Sequence, residues 1–394
     1  MRKIIFVLLI ILLFIPTIVM AQEEEQQENI DVEQLADELL EQVDIYDLEN
    51  IIKNINGDIG EYLPEFNVKD LISSIAKGEF DFNIKDFLVG IGRYLLDEMI
   101  DNSHLLLRII LLSIICAILQ NLQSSFDNNT VSELAFNIVY MIILAMAVQS
   151  FAISIQIGID VIDKMVTFMQ ALLPALLVLL TSIGSITSAT LFKPLITLTV
   201  STLSTFVKNI IIPLIFFGGI LNLINYISEK IQISKLAGLL KQASVILLGF
   251  VMTIFVGVIA IQGVTSSSFD GITARTAKYA IDNFVPVIGG FLSDAADTVI
   301  GCSLLIKNAI GVVGLIFLFI VMLFPIIKIF SIILIYKISS AIIEPIVDGR
   351  IVNSLNDISK SLILILISVI AVGIMFFLII TIIIGTGNAT VMMR

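Results

Sequence analysis

Eight stretches of this chain are apolar for about the 20 residues that a helix needs to cross a bilayer. They fall near residues 105–122, 134–154, 165–183, 188–207, 209–227, 245–263, 310–336 and 361–385. That repetition leaves few folds open. In hydrocarbon every backbone N–H and C=O must be satisfied within the structure, and runs of this length achieve that as helices. The expected fold is all-α, a polytopic α-helical membrane protein of about seven to nine spans. Of the 394 residues, 58% are hydrophobic and 14% charged, more apolar surface than a water-soluble domain can hide. Two boundaries stay open. Residues 188–227 read as two spans or as a tight hairpin turning at Lys208-Asn209, and 311–346 as one helix kinked at Pro325 or two short ones.

The chain opens like a secretory signal: Arg2 and Lys3, an apolar core from Ile4 to Phe14, Pro16, then Val19-Met20-Ala21 as a small-residue cleavage site. Residues 1–21 are therefore expected to be a signal peptide, 22–103 an acidic helical extracytoplasmic domain, and 104–394 the membrane domain. The net charge of −12 is concentrated in the second of these. Residues 22–101 hold 22 of the 34 Asp and Glu but 5 of the 22 Lys and Arg, so such a segment would be repelled by nucleic acid and anionic lipid. Lysines and arginines set orientation. Residues 228–244 (Lys230, Lys235, Lys241) and 337–360 (Lys337, Arg350, Lys360) are expected on the cytoplasmic side, although 123–133, with Asp127 and Glu133 and no basic residue, fits that scheme poorly.

Within the acidic segment, Gln22 to Ile30 is too polar to order itself, and helical spacing begins at Val32. A short echo follows, FNVKDL at Phe66 to Leu71 and FNIKDF at Phe82 to Phe87. In each copy an asparagine is placed to cap a helix and an aspartate three residues on falls in the positive first turn, as Asn67 with Asp70 and Asn83 with Asp86. Two helix starts are expected, the first helix stopping at Gly78 and the second running through Asp97, Glu98 and Asp101 into the membrane.

The least membrane-like part of the apolar half is ITARTAKYAIDNFVPVIGGFLSDAADTV, Ile272 to Val299. On a helix, Arg275, Lys278 and Asp282 form one stripe opposite Ala277, Ala280, Ile281 and Phe284. Pro286 and then Gly289-Gly290 permit a sharp reversal and are the expected hinge. Beyond it Asp294, Asp297, Thr298 and Gly301 share a face. Residues 268–308 therefore read as a helical hairpin with a polar side on each arm. Such a hairpin lies flat at the interface, dips in as a re-entrant loop lining a polar path, or is a plain pair of spans. Arg275, Lys278, Asp282, Asp294 and Asp297 are the candidate path residues. Elsewhere Lys193, Lys208 and Lys307 are expected to snorkel from span ends, and the GTGN run at Gly385 to Asn388 to end the last helix.

Catalysis has little to work with. The chain has one histidine, His104, no G-x-x-x-x-G-K-[ST] loop and no aspartyl-protease motif pair, so it reads as neither enzyme nor cofactor protein. Cys116 and Cys302 make no disulfide or metal framework and read as small buried side chains.

Four segments carry a likeness: FDGITARTAKYAIDNFVPVIGGFLSDAADTVIGCSLLIKNAIG, NIIIPLIFFGGIL, FPIIKIFSIILIYKISSAI and the terminal GTGNATVMMR. Together they closely resemble the stage III sporulation protein AE family of endospore-forming Firmicutes, over essentially the whole chain. The resemblance implies an integral subunit of the secretion-like or feeding channel that joins mother cell and forespore and supports late forespore gene expression. Its implied partners are the other stage III A proteins, AA (an ATPase) and AB to AH, with stage II sporulation protein Q. The implied location is the mother-cell membrane around the forespore, with the acidic domain in the intermembrane space. The family supplies no catalytic residues. From another class, a secondary transporter would use the 270–308 hairpin to bind a small solute or coupling ion.

Overall fold

The computed structural model describes residues 46–392, apart from 61, 63–66, 80–82, 126–128, 227–232, 285–288 and 348. The signal-like segment and the acidic leader fall outside the described residues. So do the side chains at 120–136, at most positions of 262–296, and at the C-terminal end.

Among the described residues three short helices come first: α1 (Tyr46–Ile59), α2 (Val68–Lys77) and α3 (Ile84–Asp101). The sequence echo sets the last two. Asn67 accepts the Lys69 N–H at 3.1 Å, and Asn83 accepts those of Lys85 and Asp86 at 3.1 and 3.4 Å. Asp70 and Asp86 stand in the first turns. Gly78 ends α2 at φ 73°, a left-handed conformation that closes the last carbonyls. At Asn102 the chain bends by 42° from α3 into α4 (Ser103–Ser125), so the second echo helix does lead towards the apolar body.

The body is an up-and-down bundle of long helices: α5 (Asn129–Ser182), α6 (Ile186–Phe206), α7 (Ile212–Ile224), α8 (Ser234–Phe284), α9 (Gly289–Ile343) and α10 (Gly349–Met392). A π-helical turn, Val207–Ile211, joins α6 to α7. Among the described residues five apolar helical segments are long enough to cross a membrane, six if α3 and α4 act as one bent span. That is fewer than the eight apolar windows, because several windows share one helix. Windows 134–154 and 165–183 are both α5, whose 54 residues rise about 80 Å. Between them Gln156, Asp160 and Asp163 interrupt the hydropathy but not the backbone, since each finds a side-chain partner.

The tight hairpin considered at Lys208-Asn209 is absent. Pro213 has no N–H, so a regular helix would strand the carbonyl four residues back. Widening by one residue absorbs that defect, and the Ile212 N–H reaches the Val207 carbonyl instead. The long run around Pro325 is likewise one helix, α9.

The core centres on α9 and α10, which meet at glycines. A Cβ on Gly311 would lie 2.5 Å from Ile384, and one on Gly373 would collide with Met322. A side chain on Gly314 would likewise meet Leu172 of α5 at 2.5 Å. By contrast α8 shows much of its apolar surface, with Val245, Ile246, Phe250, Ile254 and Ile261 exposed. The short helices dock on this bundle. Leu48, Ile52, Leu71 and Ile72 are buried, and Phe87 and Tyr94 of α3 meet Phe319 and Phe324 of α9 with ring centroids 6.5 and 4.7 Å apart. Asn222 and Tyr226 reach Asp357 of α10 at one end of the bundle, where Lys241 of α8 and Lys360 also stand.

Candidate functional site: charged levels in the bundle

Three groups of ionisable side chains lie at different heights. The first belongs to the two arms of the 268–308 segment. Arg275, Lys278 and Asp282 belong to α8, and Asp294 and Asp297 to α9; Gly289 and Gly290 open α9, and Pro286 lies outside the described residues. Of these side chains only that of Asp297 is described, and it is half-buried.

Below them, Asp270 is 1% exposed and accepts two backbone N–H groups of α6, Thr187 at 2.9 Å and Ser188 at 2.9 Å. Ser185 precedes α6 but makes no capping bond with its side chain. Asp270 thus supplies, from 82 residues away, the carboxylate that a helix N-terminus favours.

Lys307 does the converse on the other arm. It is wholly buried, not snorkelling, and its Nζ donates to the Ile384 carbonyl near the end of α10 at 2.8 Å. Helix ends favour cations at their C-termini, and the carbonyl replaces the water that a buried ammonium loses. The GTGN run does not end the last helix; it lies inside α10, and Gly387 leaves the space that Lys307 and Ile183 occupy. Nearby in sequence, the Ser303 hydroxyl and the Asn308 and Asn388 carboxamide oxygens are buried without hydrogen-bond partners.

The second group is at the basic end. Asp357 accepts from Asn222 at 2.5 Å and Tyr226 at 2.8 Å, and pairs with Lys360 at 3.0 Å. Burial, then the hydrogen bond and charge of Asp357, push the Tyr226 phenol well above its ordinary range, so it remains a donor.

The third group lies between. Glu98 of α3, 7% exposed, accepts from Tyr94 at 3.0 Å and pairs with Lys328 of α9 at 3.2 Å. Lys208 of the π turn pairs with Asp163 of α5 at 2.6 Å, and Gln156 donates to Asp160 at 2.7 Å. A cavity of about 760 Å³ opens here, lined by Asn54, Tyr94, Asp160, Asp163, Lys164 and Lys328 among others. Among the described residues no group of three His, Cys, Asp or Glu is placed to hold a metal ion.

The model of the family described as stage III sporulation protein AE matches residues 66–387. Stage III sporulation protein AE of Bacillus subtilis (strain 168) is 42% identical over 301 residues, 76% of this chain and 75% of that protein. The chain belongs to the stage III sporulation protein AE family. No solved structure matches it. The family match runs from the first echo to Gly387, and so takes in all three charged levels of this AE-family chain.

Sequence reading singled out the residues of the hairpin arms and missed those at their roots. Asp270 carried one signal, an acid isolated in an apolar helix beside a turn lacking a cap. Lys307 stands at a span end, where sequence predicts a snorkelling side chain and the structure buries it. The Glu98–Lys328 and Asp163–Lys208 pairs join residues far apart in the chain and left no local trace.

Proposed function

We propose that this chain is an integral membrane subunit of the channel between mother cell and forespore, serving as a membrane platform or export-gate-like element. It sits in the mother-cell membrane around the forespore with the acidic residues that precede α1 in the intermembrane space. The AA ATPase supplies energy, and AB to AH and protein Q of stage II complete the assembly. The observation that carries this reading is membership of the sporulation family at 42% identity. The absence of a phosphate-binding loop in the sequence fits a subunit that borrows its motor. The hairpin bearing Arg275, Lys278, Asp282, Asp294 and Asp297 is the element assigned to partner contact or gating, since both its arms are fastened to the bundle at Asp270 and Lys307.

The test is genetic. In the spore-forming host, removal of this chain should silence a late forespore reporter while early reporters persist, and neutralising the five hairpin charges together should reproduce the loss. An unchanged late reporter after complete removal would refute the role. The rival secondary transporter is favoured only if the purified chain, reconstituted alone, takes up a solute and loses that uptake on neutralising Asp294 or Asp297.

A further inference from the structure

The spacing of the charged levels matches a bilayer. On α8 no Asp, Glu, Lys or Arg occurs between Lys241 and Asp270, 29 positions apart, a rise of about 43 Å. On α9, Lys307 and Lys337 are 30 positions apart, about 45 Å. A bilayer with its headgroup layers is about 40–45 Å thick. The two outer levels agree across helices: Lys241 packs on Gly218, one turn from the Asp357 ligand Asn222, while Lys307 meets the α5–α6 turn at Ile183.

The third level then falls inside the hydrocarbon. Asp163 lies 19 positions, about 29 Å, from the end of α5 at Ser182. Lys328 is 21 positions from Lys307 and 9 from Lys337, about 31 and 14 Å. These charges are not sealed within the chain. The Asp163 side chain is 52% exposed and that of Lys328 45%. Gln156, Asp160, Lys164, Thr167 and Gln170 are also exposed, along one side of α5. Facing acyl chains, the charged residues among them would be costly to place. The α8 face between Lys241 and Ile261, which carries no charge and exposes Ile246, Phe250 and Ile254, has the composition lipid requires.

We propose that the α5 side of the middle level is wet: Gln156, Asp160, Asp163, Lys164 and Thr167, with Lys208 and the Glu98–Lys328 pair, form the wall of an aqueous passage. Three acids face three bases there, so the wall has no net sign. It suits small hydrophilic solutes that are neutral or zwitterionic, and should discriminate little between anions and cations. This inference rests on the channel-subunit reading but places the conduit along α5, away from the hairpin.

The test uses the full chain in sporulating cells, with Cys116 and Cys302 replaced by alanine and single cysteines introduced. The probe is a charged, membrane-impermeant thiol reagent, which needs water and a thiolate. Gln156→Cys and Thr167→Cys should label within about ten-fold of Ser182→Cys, exposed at the α5–α6 turn, and Ile246→Cys and Ile254→Cys on α8 about a hundred-fold more slowly. Middle-level cysteines as slow as those on α8 would overturn the proposal, whether lipid or another protein covers them. The two readings fail separately. A dry wall with a silenced forespore reporter sinks the passage alone, and a wet wall with an unaffected reporter sinks the channel role alone. Should the single cysteines disturb folding, Asp163→Lys with Lys208→Asp restores the ion pair in reverse. A wet wall predicts that this exchanged pair supports the late reporter better than either single change.

Discussion

Asp270 and Lys307 show how a polytopic protein meets buried charge with helix ends: among the described residues neither has a partner of opposite sign. Each is matched to a helix end, acid to N–H groups and base to a carbonyl. Asp270→Ala should lower the local stability of the first turn of α6 by about 1–2 kcal/mol, the usual cost of a lost cap. Hydrogen exchange would show it as faster opening at residues 187–189, with the Asp357 end unchanged. Gly387 is the complementary case. Gly387→Ala places a methyl where Lys307 and Ile183 already are, and overpacking of this kind costs about 1–3 kcal/mol. Lys307→Met removes both the obstruction and the buried charge, so in a double-mutant cycle the alanine should cost much less on the methionine background. Thermal unfolding in detergent measures both.

Local signals were legible in the sequence, and long-range ones were not. The FNVKDL and FNIKDF repeats announced two capped helices because capping is settled within four residues. Helix continuity was harder to see. A window of about 20 residues reads the polar group at Gln156 to Lys164 as the end of a span, whereas the backbone of α5 runs through it once Lys208 supplies a counter-charge from another helix. Pro213 gave the opposite false cue, since the π turn lets the rod continue. The docking of α3 was also hidden. It rests on Tyr94 against Phe324 and on Glu98 with Lys328, contacts spanning some 230 residues of sequence. Glu98→Ala should loosen α3 by about 1–3 kcal/mol, because Lys328 and Tyr94 lose their shared acceptor. Lys328→Met should recover part of that loss, and protease nicking between α2 and α3 would report both effects.

At the scale of the whole molecule, α9 is the common partner: it packs on α2, α3, α4, α5, α8 and α10. Among the described residues α9 and α10 run antiparallel, with Gly311 at Ile384 and Gly373 at Met322, and α8 runs antiparallel to α6 and α7, with Lys241 at Gly218 and Asp270 at Thr187. Hydropathy marks the apolar runs in that pattern but not their joins, since 134–154 with 165–183, and 188–207 with 209–227, each form one rod. The sides that meet are chosen by glycines such as Gly311 and Gly373, whose role becomes visible only when Ile384 and Met322 are placed against them.

The separate fastening of the two hairpin arms has a practical corollary. Covalent continuity between α8 and α9 is expected to be dispensable to the fold, because the first half is pinned through Asp270 and the second through Lys307. Co-expressed pieces comprising residues 1–286 and 287–394 should therefore reassemble and co-purify from detergent. Recovery of either piece alone would mean that the junction itself binds the halves together.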